Sequence, residues 1–318
     1  MDELLSLLRA AAESTRLRLL WLLSQGELNV SEITHILGQS QPRVSRHLKV
    51  MCEAGLLERH KEGSWVVFRI ASDGQSGHWA AALAGLIPEG DAVLAQDRAQ
   101  LEQVRRARAE RASAYFRANA RDWDKLRQLH VREEEVEAAL RRLAGSGHFD
   151  LLVDLGTGTG RMLELLAPQA ARAVGVDSSH EMLAIARSRL EGLPQAQVRH
   201  GDIHSLPLNA GSADLVVLHQ VLHFLDDPAA ALGEAARVLK PQGRLLIADF
   251  APHGREELRD DHAHRRLGIS PEHMAGYLER AGLVAVSRED LPPPADGGLT
   301  VSVWLAQHRA FRGVKAAS

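Results

Sequence analysis

Apolar residues recur at helical spacing in short bursts over the first 55 positions. Leu4, Leu5, Leu7, Leu8 and Ala11 outline an amphipathic first helix. A second carries Leu17, Leu19, Leu20, Leu22 and Leu23, with Thr15 placed to cap it and Gly26 to stop it. Ser31, followed by Thr34 and His35, opens a short third helix over 32–37 that ends at Gly38. Ser40 caps a fourth, 41–54, ended by Gly55. Two β-rich runs, 57–60 and 65–70, flank Lys61-Glu62-Gly63-Ser64 and read as a hairpin with a glycine turn. Residues 71–80 are rich in Ser and Gly and read as a loop. From about Trp79 to Leu143 the pattern is helical, and 98–142 is rich in Arg, Glu and Ala, as suits a long linking or dimerising helix and its successors.

The texture changes after Gly145-Ser146-Gly147. Strand-like runs at 149–155, 173–176, 198–200, 214–218 and 244–249 alternate with helical segments. That alternation predicts a parallel sheet with helices on both faces. A further helix spans 271–281, and the tract LPPPADGG (291–298) reads as a loop before a last strand, 300–306. No internal repeat is visible. A length of 318 residues suits about two domains.

Composition narrows the classes. Apolar content is 45% and charged content 25%, ordinary for a globular protein in water. One cysteine, Cys52, leaves no internal disulfide framework and no multi-cysteine zinc site. The first residues lack the pattern of a signal peptide, and no apolar run reaches the roughly 18 residues of a membrane span, so a cytoplasmic location is expected. The net charge of -3 does not advertise nucleic-acid binding. Charge must therefore be read locally. Between Ser40 and Arg69, six cations (Arg43, Arg46, Lys49, Arg59, Lys61, Arg69) face three acids (Glu53, Glu58, Glu62), a net charge of +3.

On the fourth helix Val44, Leu48 and Met51 fall on one face, which must be the core face. Ser40, Gln41, Arg43, Ser45, Arg46, His47 and Lys49 are left outward or flanking. Such donors near a helix N-terminus suit base edges in the major groove, and Arg59 and Lys61 on a basic hairpin suit phosphates. The stretch SQPRVSRHLKVMCEAGLLERHKEGSWVVFRI resembles the recognition helix and wing of ArsR-type bacterial repressors, over roughly residues 1–95. The resemblance implies an α+β winged helix-turn-helix, operator DNA as partner, and a homodimer through the first and last helices, here around 4–11 and 79–86. Family members often bind metal through cysteines on the third helix or through carboxylate/His pairs on the last. The matching Glu27-Leu28-Asn29-Val30-Ser31 has no cysteine, so no metal site is expected.

The strand ending at Asp154 runs into Leu155-Gly156-Thr157-Gly158-Thr159-Gly160 and then a helix, 161–166. Glycines there let backbone approach a ligand at a helix N-terminus. The nicotinamide-cofactor spacing would need a glycine where Arg161 stands. Asp-x-Gly-x-Gly-x-Gly resembles motif I of class I methyltransferases dependent on S-adenosylmethionine (SAM). That resemblance covers 150–250 and implies a Rossmann-like, doubly wound α/β domain. It implies cofactor contacts from Asp154, Gly156, Thr157, Gly158 and Gly160, with Asp177, 21 residues past Gly156, on the ribose. Ser178 and Met182 would pack the adenine, Gly201, Asp202 and Ile203 would contact it, and His219 would line the pocket. Lys240-Pro241-Gln242-Gly243 is the expected turn before strand five, and Tyr115, Phe116 and Trp123 lie on an expected cover for the methionine end.

Domain limits of 1–95, 96–145 (helical linker and cap) and 146–318 follow. His219 and His223 are the candidate bases, at the C-terminal edge of the sheet. A lone cysteine argues against arsenic methylation, and no Asn/Asp-Pro-Pro-aromatic motif for adenine methylation follows strand four. Asp260-Asp261-His262-Ala263-His264, with Arg265 and Arg266, reads as a polar lid and not a metal site. The expected function is a DNA-binding transcriptional regulator responding to SAM or S-adenosylhomocysteine (SAH); an active small-molecule methyltransferase is the alternative.

Overall fold

A computed structural model describes residues 2–62, 65–71, 74–88, 90–123, 132–293 and 298–312. The chain divides into two compact units, Met1–Arg111 and Ala112–Ser318.

In the first unit α1 (Asp2–Ala11) and α2 (Ser14–Ser24) precede a two-residue strand β1 (Leu28–Asn29), then α3 (Val30–Leu37) and α4 (Gln41–Glu53). The hairpin β2 (Leu57–Glu62) and β3 (Trp65–Ile70) follows, then α5 (Gly74–Gly85) and the start of α6 (Ala92–Asn119). The hairpin's turn, Gly63-Ser64, lies outside the described residues. Leu19, Leu20, Trp21, Leu22 and Leu23 are all buried, so α2 is the central helix of this core, packed with Ile33, Val44, Leu48 and Met51.

Helix ends differ from expectation. The α2 cap is Glu13, whose carboxylate accepts the Arg16 N–H at 3.0 Å; Thr15 is inside the helix and buried. The α3 cap is Asn29, not Ser31. Asn29 and Glu32 exchange side-chain-to-backbone bonds of 3.0 and 2.9 Å, a reciprocal capping box. Asn29 also closes β1, which pairs antiparallel with β3 and is too short for periodicity to reveal. Ser40 stands at the N-cap of α4 but makes no side-chain cap bond, and α4 ends one residue earlier than expected. Helix α5 begins at Gly74, inside the expected loop, because packing of fully buried Ala80 outweighs the poor propensity of its Ser/Gly start.

Within this unit α6 is tied down by charge. Arg18 of α2 donates from Nε and Nη2 to Asp97, both at 2.6 Å. Arg105 donates to the Gln25 carbonyl at 2.6 Å, and Arg108 Nε to Glu32 at 2.8 Å. Leu94 and Leu101 are buried beside them.

The second unit follows α7 (Glu133–Ala144) with β4 (Phe149–Leu155), α8 (Arg161–Leu166), β5 (Ala170–Asp177), α9 (His180–Arg189) and β6 (Ala196–His200). Then come β7 (Ala213–His219), α10 (Pro228–Val238), β8 (Leu239–Phe250), α11 (Glu257–Asp261), α12 (Pro271–Arg280), β9 (Leu283–Leu291), β10 (Val301–His308) and α13 (Arg309–Arg312). The seven strands order as β6-β5-β4-β7-β8-β10-β9. Alternate residues feed two cores. Val153, Leu155, Val216 and Ile247 face α10 and α12; Leu152, Leu215, Val217 and Leu246 face α7 and α8.

The sheet is not wholly parallel: β10 runs antiparallel to both β8 and β9. Strand β9 was not expected, and its polar run Ser287-Arg288-Glu289-Asp290 on the sheet's edge explains why. The expected turn at 240–243 lies inside β8, where pairing jumps from Ala213↔Leu239 to Leu215↔Arg244, so those four residues bulge from the ladder. Chain order reverses between β4 and β7. In an open α/β sheet that reversal leaves a crevice at the strands' carboxyl ends.

Candidate functional site

Helix α4 presents Gln41, Arg43, Ser45, Arg46 and Lys49 to solvent beside exposed Ser40, and Arg59 of β2 is exposed. Val44, Leu48 and Met51 point inward, as their spacing demands. His47 is half-buried, with Nδ1 3.6 Å from Glu13, so it faces α2 more than solvent. Arg69 is taken by Glu58 at 2.7 Å and adds nothing to the outward charge. The Lys61 side chain lies outside the described residues.

The crevice of the second unit is built from three strand ends. Gly156, Gly158 and Gly160 adopt φ of +69°, +53° and +83°. Gly156 is doubly constrained. Its backbone is left-handed, and a Cβ there would stand 2.6 Å from Val221 Cγ2. Asp154, buried beneath the turn, accepts the Thr157 hydroxyl at 2.5 Å and so braces the loop. Asp177 ends β5 with Oδ2 accepting the Gly158 N–H and Oδ1 the Ser179 N–H, each at 2.8 Å. Burial raises its pKa above the usual carboxylate value, against the opposing pull of those N–H donors. A carboxylate has about four acceptor sites, so Asp177 keeps acceptor capacity for a ligand hydroxyl beyond these backbone donors.

Ser178 is exposed and Ser179 caps α9 through the Met182 N–H; Met182 itself is buried in the core. Beyond β6, Ile203 is buried while Asp202 is exposed. Burial would raise the Asp202 carboxyl, but the His204 N–H (2.9 Å) and ring (2.8 Å) outweigh it and hold its pKa low. Gly201 donates its N–H to the Asp177 carbonyl at 3.0 Å, so the ends of β5 and β6 are joined.

His219 and His223 separate in character. His219, at the end of β7, is buried with Nε2 3.5 Å from Glu133 of α7. His223 lies in the following turn, with Nδ1 2.6 Å from Asp249 Oδ1; both are fully buried. Asp249 also accepts the Leu222 and Phe250 N–H groups. Aromatic rings gather here: Phe116, Trp123 and Phe224 meet at 4.9 to 6.0 Å, and His264 lies 4.2 Å from His223. Trp123 Nε1 is 3.6 Å from where a Gly158 Cβ would be, so this ring covers the glycine turn. The Tyr115 hydroxyl meets His262 Nδ1 at 2.7 Å, and burial pushes the phenol up to about 12. Glu133 and Asp249 carried no signal in the sequence, being distant along the chain from the histidines they meet. Gln220 was also missed; it follows β7 with φ +53° and is buried.

His253, half-buried beside this cluster, has its pKa lowered to about 4, first by burial and then by His223 and Arg255. Its Nδ1 accepts the Arg255 N–H at 3.3 Å, which requires the neutral ring. Protonation therefore favours the unfolded state, whose histidine titrates near 6.5. The stability His253 contributes is complete above pH ~6.5 and lost as pH falls toward 4, at most about 1.4 kcal/mol per pH unit. Urea unfolding of the second unit at pH 7.5 and 5 measures it. His253→Gln should flatten that dependence; an unchanged slope refutes the assignment.

Among the described residues no helix is long and apolar enough to cross a membrane. Comparison with known proteins matches residues 13–59 to the arsR family of bacterial regulatory proteins and 153–247 to a methyltransferase domain. An uncharacterized 37.1 kDa protein in transposon TN4556 of Streptomyces fradiae is 44% identical over 183 residues, 56% of this chain and 50% of that protein. The demethylmenaquinone methyltransferase of Clavibacter sepedonicus is 33% identical over 141 residues, 44% of this chain and 55% of that one. The chain thus spans about half the length of these two relatives. In the solved complex between the Haloferax volcanii Trm112 methyltransferase activator and a protein assigned there as a methyltransferase, one chain matches with TM-score 0.50 and 25% identity, over 61% of this chain and 98% of that one. The chain thus joins a segment, 13–59, that matches the arsR family of bacterial regulatory proteins to a segment, 153–247, that matches a methyltransferase domain, the latter with the fold of solved methyltransferases.

Proposed function

We propose that the chain is a transcriptional regulator that binds operator DNA as a homodimer and senses SAM or SAH through its methyltransferase domain. The observation that carries the reading is α6. Within the first unit, Asp97 and Arg108 pair this helix with α2 and α3, and the same stretch of chain continues in sequence to Tyr115 and Phe116 of the second unit's aromatic cluster. On DNA, Gln41, Arg43, Ser45 and Arg46 would read base edges, with Ser40, His47, Lys49, Arg59 and Lys61 positioning the fold on phosphates. Exposed Leu5 and Leu8 of α1 support a dimer through that helix.

The crevice suits SAM on its own geometry. The turn is left-handed at Gly156, Gly158 and Gly160, which leaves its backbone without side chains at the strand ends, and Asp177 faces that turn with spare acceptor capacity. When bound, SAM supplies a methyl already activated by its sulfonium, so the protein needs only to position and desolvate. Asp177 would hold the ribose, Ile203 and Met182 would form the apolar floor under the adenine, and Trp123 would exclude water above the turn.

The His223–Asp249 pair favours a second reading, an active methyltransferase for a small molecule. Asp249 fixes Nδ1 and leaves Nε2 as the basic nitrogen. His219, beside Glu133, is the other candidate base.

A ligand shifts DNA affinity only by its differential affinity for two states. Titrating SAM and SAH separately into a mobility-shift assay on the DNA upstream of the chain's own coding sequence tests the regulator. A change in affinity that Asp177→Ala abolishes is expected. DNA affinity indifferent to both ligands overturns sensing, and steady conversion of SAM to SAH with an acceptor from cell extract moves the balance to the enzyme.

A further inference from the structure

Gln220 combines two features rarely found together. It has φ +53°, a region that costs a non-glycine residue roughly 1 kcal/mol or more. It is also only 6% exposed, and its Nε2 has no hydrogen-bond partner. A buried amide donor left unpaired is itself costly. The backbone offers no relief, because the Gln220 N–H is fixed to the Ala248 carbonyl at 2.7 Å. Its neighbours define its place. Val221 fills the space against Gly156, and His219 ends β7 at the point where strand order reverses. Gln220 therefore stands where the glycine turn and β7 border the crevice.

The charges nearby indicate what an amide donor there receives. Asp154 and Glu133 are buried acids at this end of the sheet, suited to an ammonium. Arg161, the cation directly after the turn, is held by Glu137 at 2.6 and 2.7 Å and by Glu164 at 2.6 Å. A zwitterionic amino-acid moiety needs a donor for its carboxylate as well as acids for its ammonium, and the Gln220 amide is, among the described residues, an unpartnered donor placed beside those acids. We propose that Gln220 receives the methionyl carboxylate of SAM or SAH, its left-handed backbone setting the amide at the crevice. The proposal rests on the reading of the crevice as a SAM site.

Calorimetric titration of the full chain separates the possibilities, using SAM and decarboxylated SAM, which differs only by lacking the carboxylate. Gln220→Gly deletes the amide at a φ that glycine adopts freely, so the fold is kept. It should weaken SAM binding roughly 10- to 100-fold, the range for a hydrogen bond to a charged group, and leave decarboxylated SAM unchanged. Gln220→Glu should weaken SAM further and leave decarboxylated SAM as tight or tighter. Equal losses for both ligands would make Gln220 a packing residue, and unchanged SAM affinity would remove its role altogether; either overturns the proposal. Wild-type chain binding neither ligand would overturn the SAM reading itself, a distinguishable result.

Discussion

Asp97→Ala is expected to destabilise the DNA-binding unit by about 3 kcal/mol. Asp97 is 1% exposed and accepts both the Nε and Nη2 donors of Arg18 at 2.6 Å. The hydrogen bonds to Asp97 raise the Arg18 pKa, and a guanidinium stays charged at neutral pH without them, so the cation remains when the carboxylate is removed. Losing one partner of a buried pair costs roughly 3–5 kcal/mol, because the other is stranded. Arg18 retains 20% exposure, which places the expected loss at the lower end. Two units unfolding separately would blur a global transition, so hydrogen exchange of the α2 amides is the measurement of choice. Replacing both partners together, Arg18→Met with Asp97→Leu, should recover most of the loss. A single-variant loss under 1 kcal/mol would mean the pair does not hold α6 to α2.

Gly156→Ala should abolish measurable SAH binding, with at least a 100-fold loss of affinity by calorimetry. Two costs coincide at this residue. A methyl group at φ +69° is strained by about 1 kcal/mol. The same methyl would meet Val221 Cγ2 at 2.6 Å, and overpacking of that kind costs about 1–3 kcal/mol. The turn relieves both by moving, which separates the Gly158 N–H from Asp177 and opens the cradle. DNA affinity without ligand should stay unchanged, since that unit has its own core. SAH affinity within threefold of wild type would show that the turn absorbs the methyl group.

The glycine turn, the strand runs from 149 to 249 and the inward face of α4 were legible because each is a local demand written at fixed spacing. A left-handed turn needs glycine, and a buried strand needs a run of apolar residues. What escaped the sequence was decided by partners far along the chain. Asn29 caps α3 because β1 pairs with β3, and nothing in 27–31 announces that pairing. Helix α5 starts within a Ser/Gly run because Ala80 packs into a core that residues 1–71 assemble. At the candidate site, Asp177 and the glycines could be found by spacing. Glu133 beside His219, Asp249 beside His223 and the strained Gln220 could not, since each depends on which strand ends become neighbours.

The contact between Gly156 and Val221 also constrains how the protein can vary by descent. Shrinking position 221 to alanine removes the crowding but leaves the left-handed backbone, so glycine stays obligatory at 156 whatever stands opposite. Enlarging position 221 presses on the turn with no methylene on the glycine to yield. The two positions are therefore unequal in their freedom to drift. One is frozen by its own torsion angle, and the other is open only toward smaller side chains, so its tolerated substitutions in a lineage report whether the crevice is still under selection.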